Sequence, residues 1–239
     1  MSPLVPVALG ALLLLTGCES SKTKSARLAK GAEEIANRRG IVVKRQNPDV
    51  KVLDTAVIED ENGAAAVVAM RNVSSRPLVG LPVSIDVKGG GGKSVFRNDQ
   101  PGLAPGLAQA ALVAPGGELE WVHDQIVPTD RARSVAAKVG DPASRSTPST
   151  PRIQLSAPRI EDDPVSGASA EAYATNRSKI AQREIVIHAV GRKGGRIVAA
   201  GRAQIKRLRP GRRTRFEVFF IGNPRGAKVT LSAPPTTLK

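Results

Sequence analysis

Two stretches of this chain pass through the same series of turns and apolar segments in the same order. That internal repeat constrains the fold more than any other feature, because the architecture has to be one that can be built twice. Ile58-Glu59-Asp60 recurs as Ile160-Glu161-Asp162, and the turn Asn62-Gly63 recurs as Ser166-Gly167. Asn72-Val73-Ser74-Ser75 is matched by Asn176-Arg177-Ser178-Lys179. An apolar segment follows each, at residues 79–87 and 184–190. Next comes a Gly- and Lys-rich hairpin, at residues 89–93 and at Lys193-Gly194-Gly195-Arg196. Each copy then has a Pro-Gly turn feeding an aromatic strand. These are Pro115-Gly116 before Leu119-Glu120-Trp121-Val122, and Pro210-Gly211 before Phe216-Glu217-Val218-Phe219.

Short strands punctuated by Gly, Pro and Asn, repeating about every 100 residues, are the pattern of an antiparallel β-sandwich. Alternation is plain near the end of the second copy. Phe216, Val218 and Phe220 fall on one face, and Arg215 and Glu217 on the other. Phe219 breaks the alternation and predicts a strand covered on both sides. Residues 141–150, DPASRSTPST, have a linker composition. The expected fold is therefore all-β, with two tandem immunoglobulin-like sandwiches at residues 41–140 and 151–239. The Asn/Ser turn, the apolar strand, the Gly-rich hairpin and the Pro-Gly turn before an aromatic strand resemble the FxLYD-type immunoglobulin-like domains of bacterial surface lipoproteins. The resemblance implies an extracytoplasmic module and carries over no catalytic residue.

The N-terminus points the same way. The apolar run at residues 5–15 is shorter than the ~20 residues a spanning helix needs. It leads into Leu15-Thr16-Gly17-Cys18, which contains the single cysteine of the chain. An apolar run followed by a small-residue cleavage site is a secretory signal. Ending in cysteine, it resembles the lipobox of bacterial lipoproteins. That resemblance implies a signal peptide at residues 1–17, a cut between Gly17 and Cys18, and a diacylglycerol on the Cys18 sulfur. Two acyl chains hold a protein on a bilayer stably where one does so marginally. Residues 18–40 then form a tether. Within it Leu28, Ala32, Ile35 and Ala36 have helical spacing, Gly40 is a stop signal, and Lys22, Lys24, Arg27, Lys30, Arg38 and Arg39 surround the stripe. The helix either lies on anionic headgroups or stands in a solvated tether. The narrow, alanine-rich face favours the tether.

Charge separates the two copies. Residues 51–140 hold 9 basic and 10 acidic side chains, whereas residues 151–239 hold 18 and 6. The densest cluster is Lys206, Arg207, Arg209, Arg212, Arg213 and Arg215, flanking the turn Pro210-Gly211. Like charges so crowded cost folding energy that an anionic partner relieves. Outside a cell that partner is a teichoic or other acidic wall polymer, or lipid headgroups. Export and the scarcity of aromatic side chains argue against nucleic acid. The second copy is set away from the anchor, so the expected partner lies beyond the membrane, in the wall or on a neighbouring envelope protein, unless a flexible linker folds the domain back.

Other chemistry finds little support. The two histidines, His123 and His188, stand at different places in the repeat, so a nucleophile-base pair is not indicated and no enzyme is expected. The acidic turns Glu59-Asp60-Glu61-Asn62 and Glu161-Asp162-Asp163 offer oxygens but not the spacing of a calcium loop. Zinc-type spacing is absent, and no metal or cofactor is expected. Asn72-x-Ser74 and Asn176-x-Ser178 match a glycosylation acceptor, but read more simply as Asx turns. The sequence points to a membrane-anchored, non-enzymatic envelope module with a cationic distal domain. The alternative is an accessory subunit of an envelope complex, for transport or wall synthesis, that binds protein through strand edges.

Overall fold

Every strand of the first copy has a counterpart in the second. The computed structural model describes residues 40–144, 150–163 and 167–238. The lipobox with Gly17 and Cys18, the 25–39 segment, Ser166 and residues 145–149 lie outside the described residues. In the first copy, β1 (Val50–Asp60), β2 (Gly63–Asn72) and β6 (Glu118–Ile126) form one antiparallel sheet in the order β1-β2-β6. In the facing sheet β3 (Leu78–Lys88) is central, paired with β4 (Ser94–Arg97), β5 (Gln109–Val113) and β7 (Ser134–Val139). The second copy repeats the scheme. β10 (Gly167–Asn176) lies between β13 (Arg213–Phe219) on one side and β8 (Ile153–Leu155) and β9 (Arg159–Asp163) on the other. β11 (Gln182–Lys193) pairs with β12 (Arg196–Leu208) and β15 (Lys228–Ser232). The short β14 (Ile221–Gly222) adds to β12. The protein is all-β, two tandem immunoglobulin-like sandwiches.

The repeated asparagines hold equivalent corners. Asn72 and Asn176 are both fully buried. Asn72 Nδ2 donates to the carbonyls of Arg76 (2.6 Å) and Val113 (3.1 Å), and its Oδ1 accepts from Ser74 N (2.9 Å) and Ser74 Oγ (2.8 Å). Asn176 Nδ2 donates to Ile180 (2.8 Å) and Leu208 (3.0 Å), and its Oδ1 accepts from Ser178 N (2.9 Å) and Ser178 Oγ (2.7 Å). Each side chain thus ties the turn after its strand to the end of a strand in the other sheet. The Pro-Gly turns close beside them, with φ +64° at Gly116 and +67° at Gly211, a conformation that favours glycine.

The first core gathers Val68, Met70, Leu81, Ile85 and Trp121, and the second Ile185, Ile187, Leu208, Phe216 and Val218. Phe216, Val218 and Phe220 are buried as the alternation predicts. Phe219 corrects the expectation of a doubly covered strand. It is 51% exposed on the outer face of β13. Coverage on both faces falls instead on strands such as β2, whose sequence GAAAVVAMRN has apolar residues in both registers.

What covers β2 is the other sandwich. Both sandwiches belong to one compact unit, Arg38–Lys239. A third apolar cluster, Ala65, Val67 and Val122 with Val190, Ala200 and Ile221, joins the outer face of the β1-β2-β6 sheet to the outer face of β11, β12 and β14. Burying a Val or Ile contributes roughly 1.5–3 kcal/mol. Polar groups frame this seam. Arg192 pairs with Glu120 (2.8 Å) and Asp54 (3.3 Å), Gly222 N donates to Asp60 Oδ2 (2.8 Å), and Val122 N donates to His188 Nδ1 (3.1 Å). Arg202 and Asp124 pair at 3.2 Å. Burial pushes the Asp124 carboxyl up and the Arg202 guanidinium down, in both cases against their mutual attraction. Desolvation therefore outweighs the Coulombic gain at this pair, and the apolar contacts hold the seam together.

Candidate functional site: a cationic end on the second sandwich

Antiparallel pairing decides which cations meet. β10 ends at Asn176, β11 begins at Gln182, β12 ends at Leu208 and β13 begins at Arg213, so these junctions share one end of the sandwich. The turn after β12 is bonded to the end of β10, through Gly211 N to Asn176 O (2.9 Å) and Asn176 N to Arg212 O (3.0 Å). Arg177 N in turn reaches Arg152 O (2.8 Å). The end therefore collects Lys206, Arg207, Arg209 and Arg212, all exposed, together with exposed Arg152, Arg177, Lys179 and Arg183.

Those last four were not singled out from the sequence. Arg152, Lys179 and Arg183 are spread over three segments, and only the strand pairing brings them to the 206–213 cluster. Arg183 stands directly opposite Arg207 in the β11–β12 ladder. Like charges in that relation are destabilising. None of Arg152, Lys179, Arg183, Lys206, Arg207, Arg209 and Arg212 has a side-chain hydrogen bond or ion pair among the described residues. Glu184, beside Arg183, accepts from Gln204 instead (2.6 Å).

The two remaining members of the predicted cluster have other partners. The Arg213 guanidinium stacks 3.9 Å over the Tyr173 ring, and Arg215 pairs with Glu171 (2.7 Å) on the outer sheet face. Arg213, Tyr173, Thr175, Ser156, Arg177 and Gly211 line an open depression of about 380 Å³ beside the cationic turn. Arg177 is held there by Gln154 Oε1 (2.8 Å).

The other candidate chemistry lies elsewhere. His123 is fully buried in the first core, edge-on to Phe96 (5.2 Å) and Trp121 (6.1 Å). His188 is at the seam. Burial, aided by the Arg202 charge, brings both imidazoles down to about 3, so they are neutral at ordinary pH. The acidic turns are engaged in structure. Glu59 Oε2 accepts from Ala132 N (2.7 Å), Asp60 Oδ1 accepts from Asn62 N (2.8 Å), and Asp162 pairs with Arg225. Among the described residues, no three His, Cys, Asp or Glu side chains gather to hold a metal ion. No described helix is long and apolar enough to cross a membrane. The buried Asn72 and Asn176 amides are closed to modification.

No family model matches the chain, and no curated protein matches it. Among solved structures it is similar to the exo-β-D-glucosaminidase CsxA, at 13% identity and a TM-score of 0.28. That match spans 77% of this chain and 26% of the enzyme.

Proposed function

We propose that this chain is a membrane-anchored, non-enzymatic lipoprotein of the cell envelope, held by acyl chains on Cys18, whose cationic end binds an acidic partner. The observation that carries the reading is the set of seven cations at one end of the second sandwich that have no side-chain partner among the described residues, with Arg183 facing Arg207. Such an end is costly to the isolated fold and complementary to a polyanion. The lipobox resemblance at Leu15-Thr16-Gly17-Cys18 supports the anchor. Intact mass of the membrane-extracted protein tests it. A chain starting at Cys18 with acyl mass is expected, and a free thiol would refute it. Binding is tested on the same protein with a soluble polyphosphate or purified wall polymer. With six contacts to a dense polyanion, affinity should fall about a thousandfold between roughly 50 and 200 mM salt. Binding that ignores both salt and the triple change Arg209→Ala, Arg212→Ala and Arg213→Ala would exclude this end as the site.

A second reading, an accessory subunit that binds protein through a strand edge, is favoured by β15. β15 pairs only with β11 among the described strands. The equivalent edge of β7 is closed by Asn47 N on Val139 O (2.8 Å) and by Gln46 Oε1 accepting from Val139 N (2.9 Å).

A further inference from the structure

We infer that the acidic partner of the cationic end is the anionic lipid surface on which the chain is anchored. This rests on the anchor and the cationic binding end proposed above. It departs from the sequence reading, which set the basic copy away from the membrane.

The packing of the two sandwiches carries the inference. The described chain begins at Gly40, and its position there is tight. A Cβ on Gly40 would lie 1.6 Å from Asp99 O, which fixes where the tether joins the fold. Gly40 lines a cavity of about 270 Å³ with Pro105 and Gln109. Pro105 and Gln109 also line the adjoining groove of about 380 Å³, whose other wall holds Arg183 and Glu184. Gly106, between them in the fold, packs against the second sandwich, since a Cβ there would come 2.7 Å from Val186 Cγ2. The attachment point of the tether and the Arg183–Arg207 pair are thus on the same side of the unit, separated by two neighbouring depressions. The seam fixes that relation, because the sandwiches are packed through Val67, Val122 and Val190 rather than swinging on a linker.

Tether length permits the contact. Residues 18–39 span roughly 70 Å when fully extended, so slack rather than reach governs the approach. The tether sequence itself carries Lys22, Lys24, Arg27, Lys30, Arg38 and Arg39. Basic residues are drawn to an anionic leaflet within about a Debye length, and the slack tether lets the cationic end come that near. A lipid surface also suits the chemistry of the end. Exposed cations from three separate loops, with no enclosed pocket among them, match many headgroups presented in one plane better than a single buried ligand.

The test uses the acylated protein reconstituted in vesicles, either phosphatidylcholine alone or with about 30% phosphatidylglycerol. Cys18 is acylated, so one introduced cysteine is labelled uniquely. Ala181→Cys, an uncharged position beside the start of β11, reports the cationic end. Lys193→Cys reports the far end of β11, roughly 35 Å away along the strand. Energy transfer to an acceptor lipid should rise at least twofold at position 181 on adding phosphatidylglycerol. It should fall back in high salt, and change little at position 193. Arg209→Gln with Arg212→Gln should abolish the rise, while an unchanged far-ultraviolet circular dichroism spectrum and melting temperature show the fold intact. Equal transfer at both positions, or indifference to phosphatidylglycerol, overturns the inference. In the same preparation, salt-sensitive binding of wall polymer without the vesicle response would leave the cationic binding end standing and remove the lipid as its partner. Failure of both would remove the binding end as well.

Discussion

Acidification should destabilise this protein by an amount set by its two buried histidines. Each is neutral in the folded state, with its imidazole brought from 6.5 down to about 3 by burial. The unfolded chain has histidines of ordinary affinity. Between pH 3 and 6.5 the unfolded state therefore binds more protons, and stability rises with pH through that window. The contribution is complete above pH 6.5 and falls as pH drops below it. At about pH 5 each histidine costs roughly 2 kcal/mol, and the two together about 4, against a typical total of about 5–15. Trp121 is the single tryptophan and fully buried, so urea denaturation followed by its fluorescence reads the transition directly. Carboxylates also titrate in this range, so the decisive comparison is with variants. His188→Gln keeps an acceptor for Val122 N and removes one titration. His123→Phe preserves a ring beside Phe96 and Trp121. The double variant should lose about 4 kcal/mol less than the wild type between about pH 7.5 and about pH 5. An identical pH dependence in the two proteins would refute the placement of both imidazoles in dry surroundings.

Two further measurements bear on the repeat. Asn72→Ala and Asn176→Ala each strand buried carbonyls and a turn N–H, so both should destabilise, by about 2–4 kcal/mol in denaturant titrations. A large loss at one site with none at the other would contradict their structural equivalence. Gly201→Ala would place a Cβ 2.0 Å from Phe219 O and 2.9 Å from Val218 Cγ1. Because the obstacle is backbone, β12 and β13 must part, and the melting temperature should drop by several degrees. An unchanged melting curve would mean the two strands are not packed this closely.

The repeat was legible because turns have local chemistry. Asn-x-Ser, Pro-Gly and Gly-Gly specify backbone geometry wherever they occur, so the corners could be read without knowing what packs where. The cationic turn was legible for the same reason, since its charges are contiguous in sequence. Arg152, Lys179 and Arg183 were not, because strand pairing alone brings them to that turn. The seam was also missed, although its signal is present. GAAAVVAMRN in β2 is apolar in both registers, while GASAEAYATN in β10 is apolar in one. Phe219 drew the inference of double coverage to the wrong strand, because one large aromatic outweighed a run of small residues.

That contrast between β2 and β10 also means that the second sandwich has no apolar docking face of the kind β2 provides. The outer face of the first β1-β2-β6 sheet docks on the β11, β12 and β14 face of the second sandwich, a head-to-tail contact between different surfaces. Such contacts propagate unless something ends them. The second sandwich has its own equivalent of the docking face, on β10 and β13, and the repeat gives the corresponding positions. Where β2 carries Val67, β10 carries Glu171, and where β6 carries Val122, β13 carries Glu217. Both glutamates are satisfied on the open face, Glu171 by Arg215 and Glu217 by Ser169 Oγ (2.8 Å). Docking a third sandwich there would bury these groups, at a cost of several kcal/mol per ion. The charges of the second copy therefore act at two places. On its outer sheet face Glu171 is paired with Arg215 and keeps that face polar, and at its end Arg183, Lys206, Arg207, Arg209 and Arg212 have no side-chain partner among the described residues.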